Sequence, residues 1–331
     1  MAVRNIAPLG FPWPTQDPFL FCAHHRDAYP AGQDHLGPDP ALLAGRDPGQ
    51  DFTIKDGFRM YHGQSVPGFP PHPHRGFETI TIVREGYVDH ADSLGAVARF
   101  GQGDIQWLTT GAGIVHSEMF PLLRKDESNP LELFQIWLNL EARNKMARPY
   151  FSMYWGENIQ ALEKEGVQIR LYVGELGGLS GVAPPPESYA SRTDSLLTIY
   201  IVSLAAGSRF TLPGAPEECG RMLYFFSGKG LYADGKQIPS YHYLNLDAGE
   251  LLLESQDAPC ELLYLAGRPI GEPVAQYGPF VMNTPGEIQQ TMEDYRRTGF
   301  GGWPHEANEP VHGERIERFA RYPDGTLMRP D

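Results

Sequence analysis

The stretch HPHRGFETITIVREG, residues 72–86, joins a pair of histidines to a run that is typical of a β-strand. Apolar or β-branched side chains occur on both alternating faces of residues 77–83, as in a strand that is covered on both sides. His72 and His74 are separated by one residue, which places both side chains on the same face of a strand. The stretch therefore predicts a buried strand with two imidazoles at its entrance.

A second pair of polar residues occurs in GIVHSEM, residues 113–119, where His116 and Glu118 again stand at i and i+2. An HxH motif alone arises often by chance, but an HxH motif followed by an HxE motif in a strand-rich chain is far more specific. Three imidazoles and one carboxylate on two β segments predict a site for one metal ion. The predicted ligands are His72, His74, His116 and Glu118.

The predicted donor set narrows the identity of the metal. Imidazole and carboxylate ligands suit Fe, Mn, Co, Ni, Zn and Cu(II), whereas Mg²⁺ and Ca²⁺ prefer sites with more oxygen ligands. The set resembles the site of non-haem Fe(II) oxygenases, which has two histidines and one carboxylate, with one histidine added. We therefore expect one divalent transition metal, with Fe(II) as the first candidate and Zn, Ni, Mn, Co or Cu as the alternatives.

Other polar and aromatic residues lie near these motifs or stand alone in the chain. Glu78 follows His74 by four residues and shares its face if the strand is regular. We interpret Glu78 as structural or as a residue that orients a histidine ligand, with a fifth ligand as the alternative. We interpret His62 as a loop histidine, and His90 and His242 as isolated histidines outside the site. Three aromatic residues either line a substrate pocket or belong to the core: Phe69, Phe77 and Trp107.

The chain contains two blocks of short strands joined by turns, at about 51–145 and about 195–268. FFSGKGLYADG, residues 225–235, parallels IVREGYVDHADSLG, residues 82–95, which indicates two similar β-barrels. The second block has TLPGAPEECGRM, residues 211–222, where the first has its histidine pair. We therefore expect metal only in the first barrel, and expect the second to be structural or to contribute a binding surface.

The domain organisation is predicted from these blocks and from the segments around them. Residues 1–50 are rich in Pro, Gly and Asp and predict an arm packed on the first barrel. The first barrel is predicted over 51–180 and the second over 190–285. A helix with a capping box at Thr284 and a tail complete the chain over 286–331, and the polar composition of the tail predicts that it wraps loosely.

Composition and charge limit the class of protein. The chain has 331 residues, of which 41% are hydrophobic and 21% charged, as in soluble globular proteins. The net charge of −14 disfavours direct binding to nucleic acid. The three cysteines form no CxxC motif, and the chain shows neither a leader peptide nor an apolar stretch of membrane-spanning length. These features predict a cytoplasmic protein that does not associate with membranes.

Three segments together resemble the pirin family of the cupin superfamily: HPHRGFETITIVREG, GDIQWLTTGAGIVHSEMF and EPVAQYGPFVMNTPGEI. The resemblance extends over about 10–300. It implies an all-β bicupin, with two face-to-face β-barrels of the double-stranded β-helix, or jelly-roll, type and one mononuclear metal in the N-terminal barrel. The ligand positions of the family match His72, His74, His116 and Glu118 one for one.

The resemblance implies three hypotheses about function. The first is a dioxygenase similar to quercetin 2,3-dioxygenase, in which O₂ opens a flavonol-type or related enediol substrate and carbon monoxide is released. Glu118 would then be a ligand and also a catalytic proton acceptor. The second is a regulator that binds a protein partner according to the redox state of its metal. The third is a metal-dependent isomerase or decarboxylase that does not use O₂. A small aromatic substrate and O₂ are the partners expected for the first.

Overall fold

β-Strands dominate the computed structural model, which describes residues 2–331. In chain order, the strands are β1 (Val3–Pro8), β2 (Phe19–Tyr29), β3 (Gly68–His74), β4 (Phe77–Glu85), β5 (Tyr87–Asp92), β6 (Val97–Gly101), β7 (Ile105–Thr109), β8 (Ile114–Met119), β9 (Asn129–Asn139), β10 (Tyr150–Tyr154), β11 (Ala161–Lys164), β12 (Val167–Val173) and β13 (Glu175–Leu176). They continue with β14 (Leu179–Ser180), β15 (Thr198–Leu204), β16 (Arg209–Leu212), β17 (Gly220–Gly228), β18 (Leu231–Ala233), β19 (Lys236–Ile238), β20 (His242–Leu246), β21 (Leu251–Ser255), β22 (Cys260–Gly267), β23 (Ala275–Tyr277), β24 (Phe280–Met282), β25 (Phe319–Arg321) and β26 (Leu327–Met328).

Helical structure is confined to short segments. The α-helix α1 spans Pro285–Thr298. Short 3₁₀ turns lie at Pro40–Leu43, Ala142–Asn144, Gly156–Asn158, Tyr189–Ser191, Thr193–Ser195 and Gly299–Gly301. Over residues 2–331, no helix combines the length and the apolar character that crossing a membrane requires. The predicted all-β class with a short C-terminal helix is confirmed.

The strands belong to two compact units of the chain. Unit 1 consists of residues 2–22 and 158–271. It contains a seven-stranded sheet in the order β1-β20-β17-β22-β15-β12-β11 and a four-stranded sheet in the order β16-β21-β18-β19. Alternate residues of both sheets meet in one core, where Val202 and Leu262 of the first sheet join Leu253 of the second.

Unit 2 consists of residues 23–157 and 272–331. Its sheets have the orders β10-β7-β4-β9-β2 and β26-β25-β6-β5-β8-β3. One core cluster again draws on both sheets, with Val83 of β4 and Leu133 of β9 packed in the same cluster as Phe100 of β6. The histidine and glutamate motifs of the sequence all lie in this unit.

The predicted domain boundaries, at about residues 50, 180, 190 and 285, stay a prediction. The segment predicted as an arm packed on the first barrel contributes a strand to each unit: β1 pairs with β20 in unit 1, and residues 23–29 of β2 belong to unit 2. Pairing satisfies the backbone N–H and C=O groups of such a segment, which would otherwise need water as a partner.

Helix α1 begins at the capping box that the sequence predicts. The Thr284 side chain accepts from the backbone N–H of Glu287, and the Glu287 carboxylate accepts in return from the backbone N–H of Thr284. Gly299 closes the helix in the left-handed region with φ of 56°. Ile288 packs with Phe280 in a small cluster of unit 2. The helix is therefore fastened to the strand pair β23–β24 that precedes it.

The prediction of a loosely wrapped tail is wrong. β25 pairs with β6, so the tail extends the six-stranded sheet of unit 2. The Arg318 guanidinium donates to the buried Asp104 carboxylate at 2.7 Å. The His312 side chain hydrogen-bonds the backbone carbonyl of His90 at 2.8 Å. Polar composition misleads here because some polar groups of the tail, including Arg318 and His312, find partners on the sheet.

Candidate metal centre

The HxH and HxE motifs lie on adjacent strands. β3 and β8 pair antiparallel, and their register sets His72 directly opposite His116. Facing residues in such a pair project to the same side of the sheet. One ring nitrogen from each of His72, His74 and His116 lies within 4.8 Å of the other two. The structure therefore brings the three predicted histidine ligands together.

His116 is the least satisfied polar side chain of this group. It is fully buried, and neither of its ring nitrogens has a hydrogen-bond partner among residues 2–331. Burial, and then the neighbouring histidines, holds the pKa of His116 well below its usual value, so the ring is neutral. A neutral imidazole with a buried lone pair and no donor facing it fits a metal ion, which would use that lone pair.

His72 and His74 have their rings oriented by the backbone. Nδ1 of His72 lies 2.9 Å from the carbonyl oxygen of Pro70, and Nδ1 of His74 lies 3.3 Å from that of Pro279. A carbonyl only accepts, so each Nδ1 carries the proton and each Nε2 keeps its lone pair. Burial lowers the pKa of His72 to about 4 and that of His74 well below its usual value. Both rings are thus neutral ligands in the required tautomer.

Glu118 lies beside the three histidines but is not part of their close group. Its side chain is 2% exposed. One carboxylate oxygen accepts from the Thr81 hydroxyl at 3.0 Å and the other accepts from the Gln135 amide at 2.7 Å. Burial raises the pKa of Glu118 above its usual value. The carboxylate is therefore held in place by two neutral donors, on the same strand face as His116.

Glu78 does not share a face with His74, because the strand is not regular between them. β3 ends at His74 and β4 begins at Phe77, and the two strands belong to different sheets. Thr81 points toward Glu118, so Glu78 lies on the opposite face of β4, where it accepts from the Thr109 hydroxyl at 2.7 Å. The structural interpretation of Glu78 agrees with this position, and the role of orienting a histidine does not.

His90 lies next to the site, so the prediction of an isolated histidine outside the site is wrong. It is fully buried on β5, and its ring centroid is 5.5 Å from that of His116. Its Nε2 lies 3.1 Å from the Asp92 carboxylate, and the Gln106 amide donates to its Nδ1 at 2.9 Å. The sequence feature that could have indicated it is the HxD spacing of His90 and Asp92 on β5, the strand that pairs with β8 and its HxE motif.

The other two histidines lie where the sequence analysis expected them. His62 hydrogen-bonds the backbone carbonyl of Gly49 from a loop. His242 lies on β20 of unit 1 and hydrogen-bonds the backbone carbonyl of Ser240. Neither belongs to the group of close ligand atoms around His116.

Aromatic rings surround the histidine group on two sides. The Phe77 ring centroid lies 5.0 Å from that of His74, and the Phe69 centroid lies 6.2 Å from that of His72. Trp137, which the sequence did not indicate, packs on Phe77 with the ring centroids 4.3 Å apart and the ring planes tilted by 35°. Trp107 is different, because it lies on the face of β7 opposite Gln106 and so faces away from the site.

Two family models match the chain. The model described as Pirin matches residues 41–138, and the model described as Pirin C-terminal cupin domain matches residues 199–301. The two matches fall on the two strand-rich blocks. The predicted bicupin fold is confirmed.

Named relatives and a solved structure are similar to the chain over most of its length. A pirin-like protein of Arabidopsis thaliana is 36% identical, over 75% of this chain and 80% of its own. A Pseudomonas aeruginosa protein with the provisional name quercetin 2,3-dioxygenase is 38% identical, over 70% of this chain and 79% of its own. The crystal structure of quercetin 2,3-dioxygenase from Acinetobacter baumannii superposes with a TM-score of 0.71 at 24% identity, over 91% of this chain and 98% of its own.

Proposed function

The chain belongs to the pirin family, and from this premise we propose that it is a metal-dependent dioxygenase that opens a flavonol-type or related enediol substrate with O₂. The observation that carries the proposal is the convergence of one ring nitrogen from each of His72, His74 and His116, all within 4.8 Å of one another, with His74 and His116 buried and His72 partly buried. Relatives with the provisional name quercetin 2,3-dioxygenase, from Vibrio cholerae and Pseudomonas aeruginosa, support the choice of reaction.

The three histidines would hold one divalent transition metal, and Glu118 would be its fourth ligand. We propose Fe(II), with Zn, Ni, Mn, Co and Cu as the alternatives that the same donor set accepts. The metal would supply a Lewis acid that lowers the pKa of a coordinated substrate hydroxyl and so makes the substrate reactive toward O₂.

The chain prepares the three ligands before a metal binds. The carbonyls of Pro70 and Pro279 keep the Nδ1 protons of His72 and His74 in place. Burial keeps all three rings neutral, so no proton has to leave before a lone pair is donated. Little reorganisation is then needed when the ion enters.

Glu118 would also accept the proton that the substrate hydroxyl loses. Its carboxylate is buried, and burial raises its pKa toward that of a useful base. The Thr81 hydroxyl and the Gln135 amide would keep the carboxylate in reach when a proton is transferred to one of its oxygens. Trp137 in turn donates to the Gln135 side-chain carbonyl at 3.3 Å, which fixes the orientation of that amide.

Phe69 and Phe77 would form the walls against which an aromatic substrate packs. The Phe69 ring centroid lies 6.2 Å from that of His72, and the Phe77 centroid lies 5.0 Å from that of His74. Aromatic walls bind a planar ring by dispersion and exclude water from the reacting atoms. A small aromatic substrate and O₂ are therefore the partners that we propose.

The test is to strip the protein of metal, reload it with Fe(II) without oxygen, add quercetin and follow O₂ uptake and release of carbon monoxide. We expect uptake by the loaded wild type, and neither stoichiometric metal nor uptake in His116→Ala. His242→Ala, which removes a histidine outside the group, is the matched control and should behave as the wild type.

The two alternatives from the sequence predict different results in the same experiment. A regulator would bind metal without turnover, and its affinity for a protein partner would change with the redox state of the metal. An isomerase or decarboxylase would work with Zn or Mn and would be indifferent to O₂. Stoichiometric metal in the wild type without any O₂ uptake, across flavonols and related enediols, would contradict the dioxygenase proposal.

A further inference from the structure

Unit 1 contains a pocket that lies outside the histidine site and has no role in the proposed function. Its volume is about 650 Å³, within the range of small-molecule sites. The floor is formed by β15 and β22, and the rim by the β13–β14 hairpin and the segments 190–197 and 213–216. Most of the lining is apolar, with Leu176, Val182 and Leu197 among its residues.

Two tyrosines form the polar part of the floor. Tyr200 and Tyr264 face each other across β15 and β22, and their rings stack at 4.6 Å. They are 2% and 4% exposed. The Tyr200 hydroxyl makes no hydrogen bond within the described part of the chain, and the Tyr264 hydroxyl accepts one but donates none. Two phenolic hydrogens are therefore available on the floor of a pocket whose lining is mostly apolar.

Arg221 stands behind Tyr264 with its positive charge unneutralised. It is 1% exposed, and its Nε donates to the Tyr264 hydroxyl at 2.8 Å. Its other N–H groups donate to the backbone carbonyls of Asp247, Gly249 and Pro213. Among residues 2–331, no carboxylate oxygen lies within 4.0 Å of this guanidinium. A buried cation without an acid favours a negative group nearby.

The arrangement makes Tyr264 a strong donor. A hydroxyl oxygen that accepts from a charged N–H releases its own hydrogen more readily into a second hydrogen bond. Burial raises the pKa of Tyr200 well above its usual value and raises that of Tyr264 as well, so both groups keep their protons at neutral pH. The floor of the pocket therefore offers two donors with a positive charge behind them, whereas Glu175, the one carboxylate of the lining, belongs to the β13–β14 hairpin at the rim.

We propose that this pocket binds a small aromatic carboxylate, whose carboxylate accepts hydrogen bonds from Tyr200 and Tyr264 and whose ring packs on the apolar lining. No histidine lines the pocket, so a second metal ion does not fit it. A carboxylate satisfies both hydroxyls and brings the missing negative charge close to Arg221. The proposal does not rest on the proposed function, because it uses residues of unit 1 alone.

The test uses the metal-loaded, full-length protein and 2-naphthoate as the probe, with binding measured by titration calorimetry. We expect saturable binding to the wild type. Tyr200→Phe and Tyr264→Phe keep the ring packing and remove one donor each, and each should raise the Kd about tenfold or more, as for a hydrogen bond to a charged group. Tyr232→Phe, a tyrosine of β18 outside the pocket, is the matched control and should leave the Kd unchanged.

A second probe and two further variants distinguish binding in this pocket from binding elsewhere on the protein. 2-Naphthylmethanol has the same rings without the charge, and it should bind at least about tenfold more weakly. Ala215→Trp places a large side chain in the rim and should abolish binding, whereas His116→Ala should not change it. Absence of saturable binding at about 1 mM probe would overturn the proposal. So would equal Kd values in the wild type and both tyrosine variants, or loss of binding in His116→Ala.

Discussion

At the scale of single residues, the three histidines differ in how their second nitrogen is used. His72 and His74 each give one N–H to a backbone carbonyl, whereas both nitrogens of His116 lack a partner within residues 2–331. Leaving a buried imidazole unsatisfied costs about 1–3 kcal/mol. Metal binding would recover that cost, so His116 gains more from a bound metal ion than His72 or His74 does.

The substitution Glu118→Gln distinguishes the role of Glu118 as a proton acceptor from its role as a metal ligand. Glutamine is nearly isosteric but accepts no proton at neutral pH, so we expect turnover to fall by roughly 10²-fold or more, the range for general acid–base catalysis. Metal content should change far less, because the three histidines still converge. Metal analysis and O₂ uptake on the same preparations measure the two effects.

The matched control for this substitution is Glu78→Gln. Glu78 is also a buried strand carboxylate bonded to a threonine hydroxyl, but it lies on the other face of its strand. Both metal content and turnover should remain at the wild-type level in this control. Equal loss of metal and turnover in Glu118→Gln would refute the role of Glu118 as a base.

At the scale of elements, the turn between β3 and β4 decides what surrounds His74. The chain leaves one sheet at His74 and enters the other at Phe77, through Arg75 and Gly76. Gly76 has φ of 85°, and a Cβ there would lie 1.9 Å from the carbonyl oxygen of Val281. Only glycine permits both this backbone conformation and this approach of β24.

Gly76→Ala should therefore destabilise the protein by about 2 kcal/mol or more, the combined effect of a positive φ and a backbone clash. Urea unfolding measures the change. Gly95→Ala is the matched control, because Gly95 has φ of 89° but open space around its Cβ position. We expect the control to lose about 1 kcal/mol, from the backbone strain alone. A loss in Gly76→Ala no larger than in the control would show that β24 can move away.

Arg75 joins the same turn to helix α1. Its guanidinium donates to the Asp294 carboxylate at 2.9 Å and to the carbonyl oxygen of Ala112 at 2.7 Å. Hydrogen bonds from Arg75, Arg297 and Gln290 lower the pKa of Asp294 to about 2. Because the pKa is depressed in the folded state, the stabilisation is present above about pH 4 and is lost as the pH falls through about 2.

Asp294→Asn should remove this part of the pH dependence. At pH 6 the variant should melt about 3 °C below the wild type, and at pH 2.5 the difference should be clearly smaller. Glu293→Gln, one position earlier on the same helix, is the control, and its difference from the wild type should not follow this pattern. Melting curves of the wild type and the two variants at both pH values measure these differences. An equal difference between variant and wild type at both pH values would contradict the assignment.

At the scale of the whole molecule, the chain uses one β-rich design twice and gives the two copies different polar interiors. Unit 2 has three histidines and a glutamate between its sheets, and unit 1 has two tyrosines and an arginine. The fold does not determine the chemistry of either interior. The side chains at a few inward-facing strand positions determine the chemistry of each interior.

Each ligand should therefore protect its own unit. We expect Fe(II) to slow hydrogen exchange in β3 and β8, and 2-naphthoate to slow it in β15 and β22, because a ligand stabilises the folded state of the strands that bind it. Hydrogen exchange followed by mass spectrometry of peptides from these strands measures both effects. Protection of β15 and β22 by the metal alone, as strong as that of β3 and β8, would contradict two separate sites.

The sequence by itself determined the strand-rich class, the capped C-terminal helix and the spacing of the four predicted ligands, since all of these depend on local periodicity or on turn and cap residues. It did not reveal His90, Gln135 or Trp137, because these reach the site through strand pairing between residues far apart in the chain. The ligand set and the domain boundaries stay predictions.

Tertiary structure alone decided which strand faces meet. It placed His72 opposite His116, turned Glu78 away from the site, and stacked Tyr200 on Tyr264 in the other unit. The physical reason is that burial of the whole core sets both the register of each strand and the point at which the chain passes from one sheet to the other. Shifting a strand by one residue would turn every one of its side chains to the opposite face. A sequence window carries the alternation of a strand but not the identity of the strand that it faces.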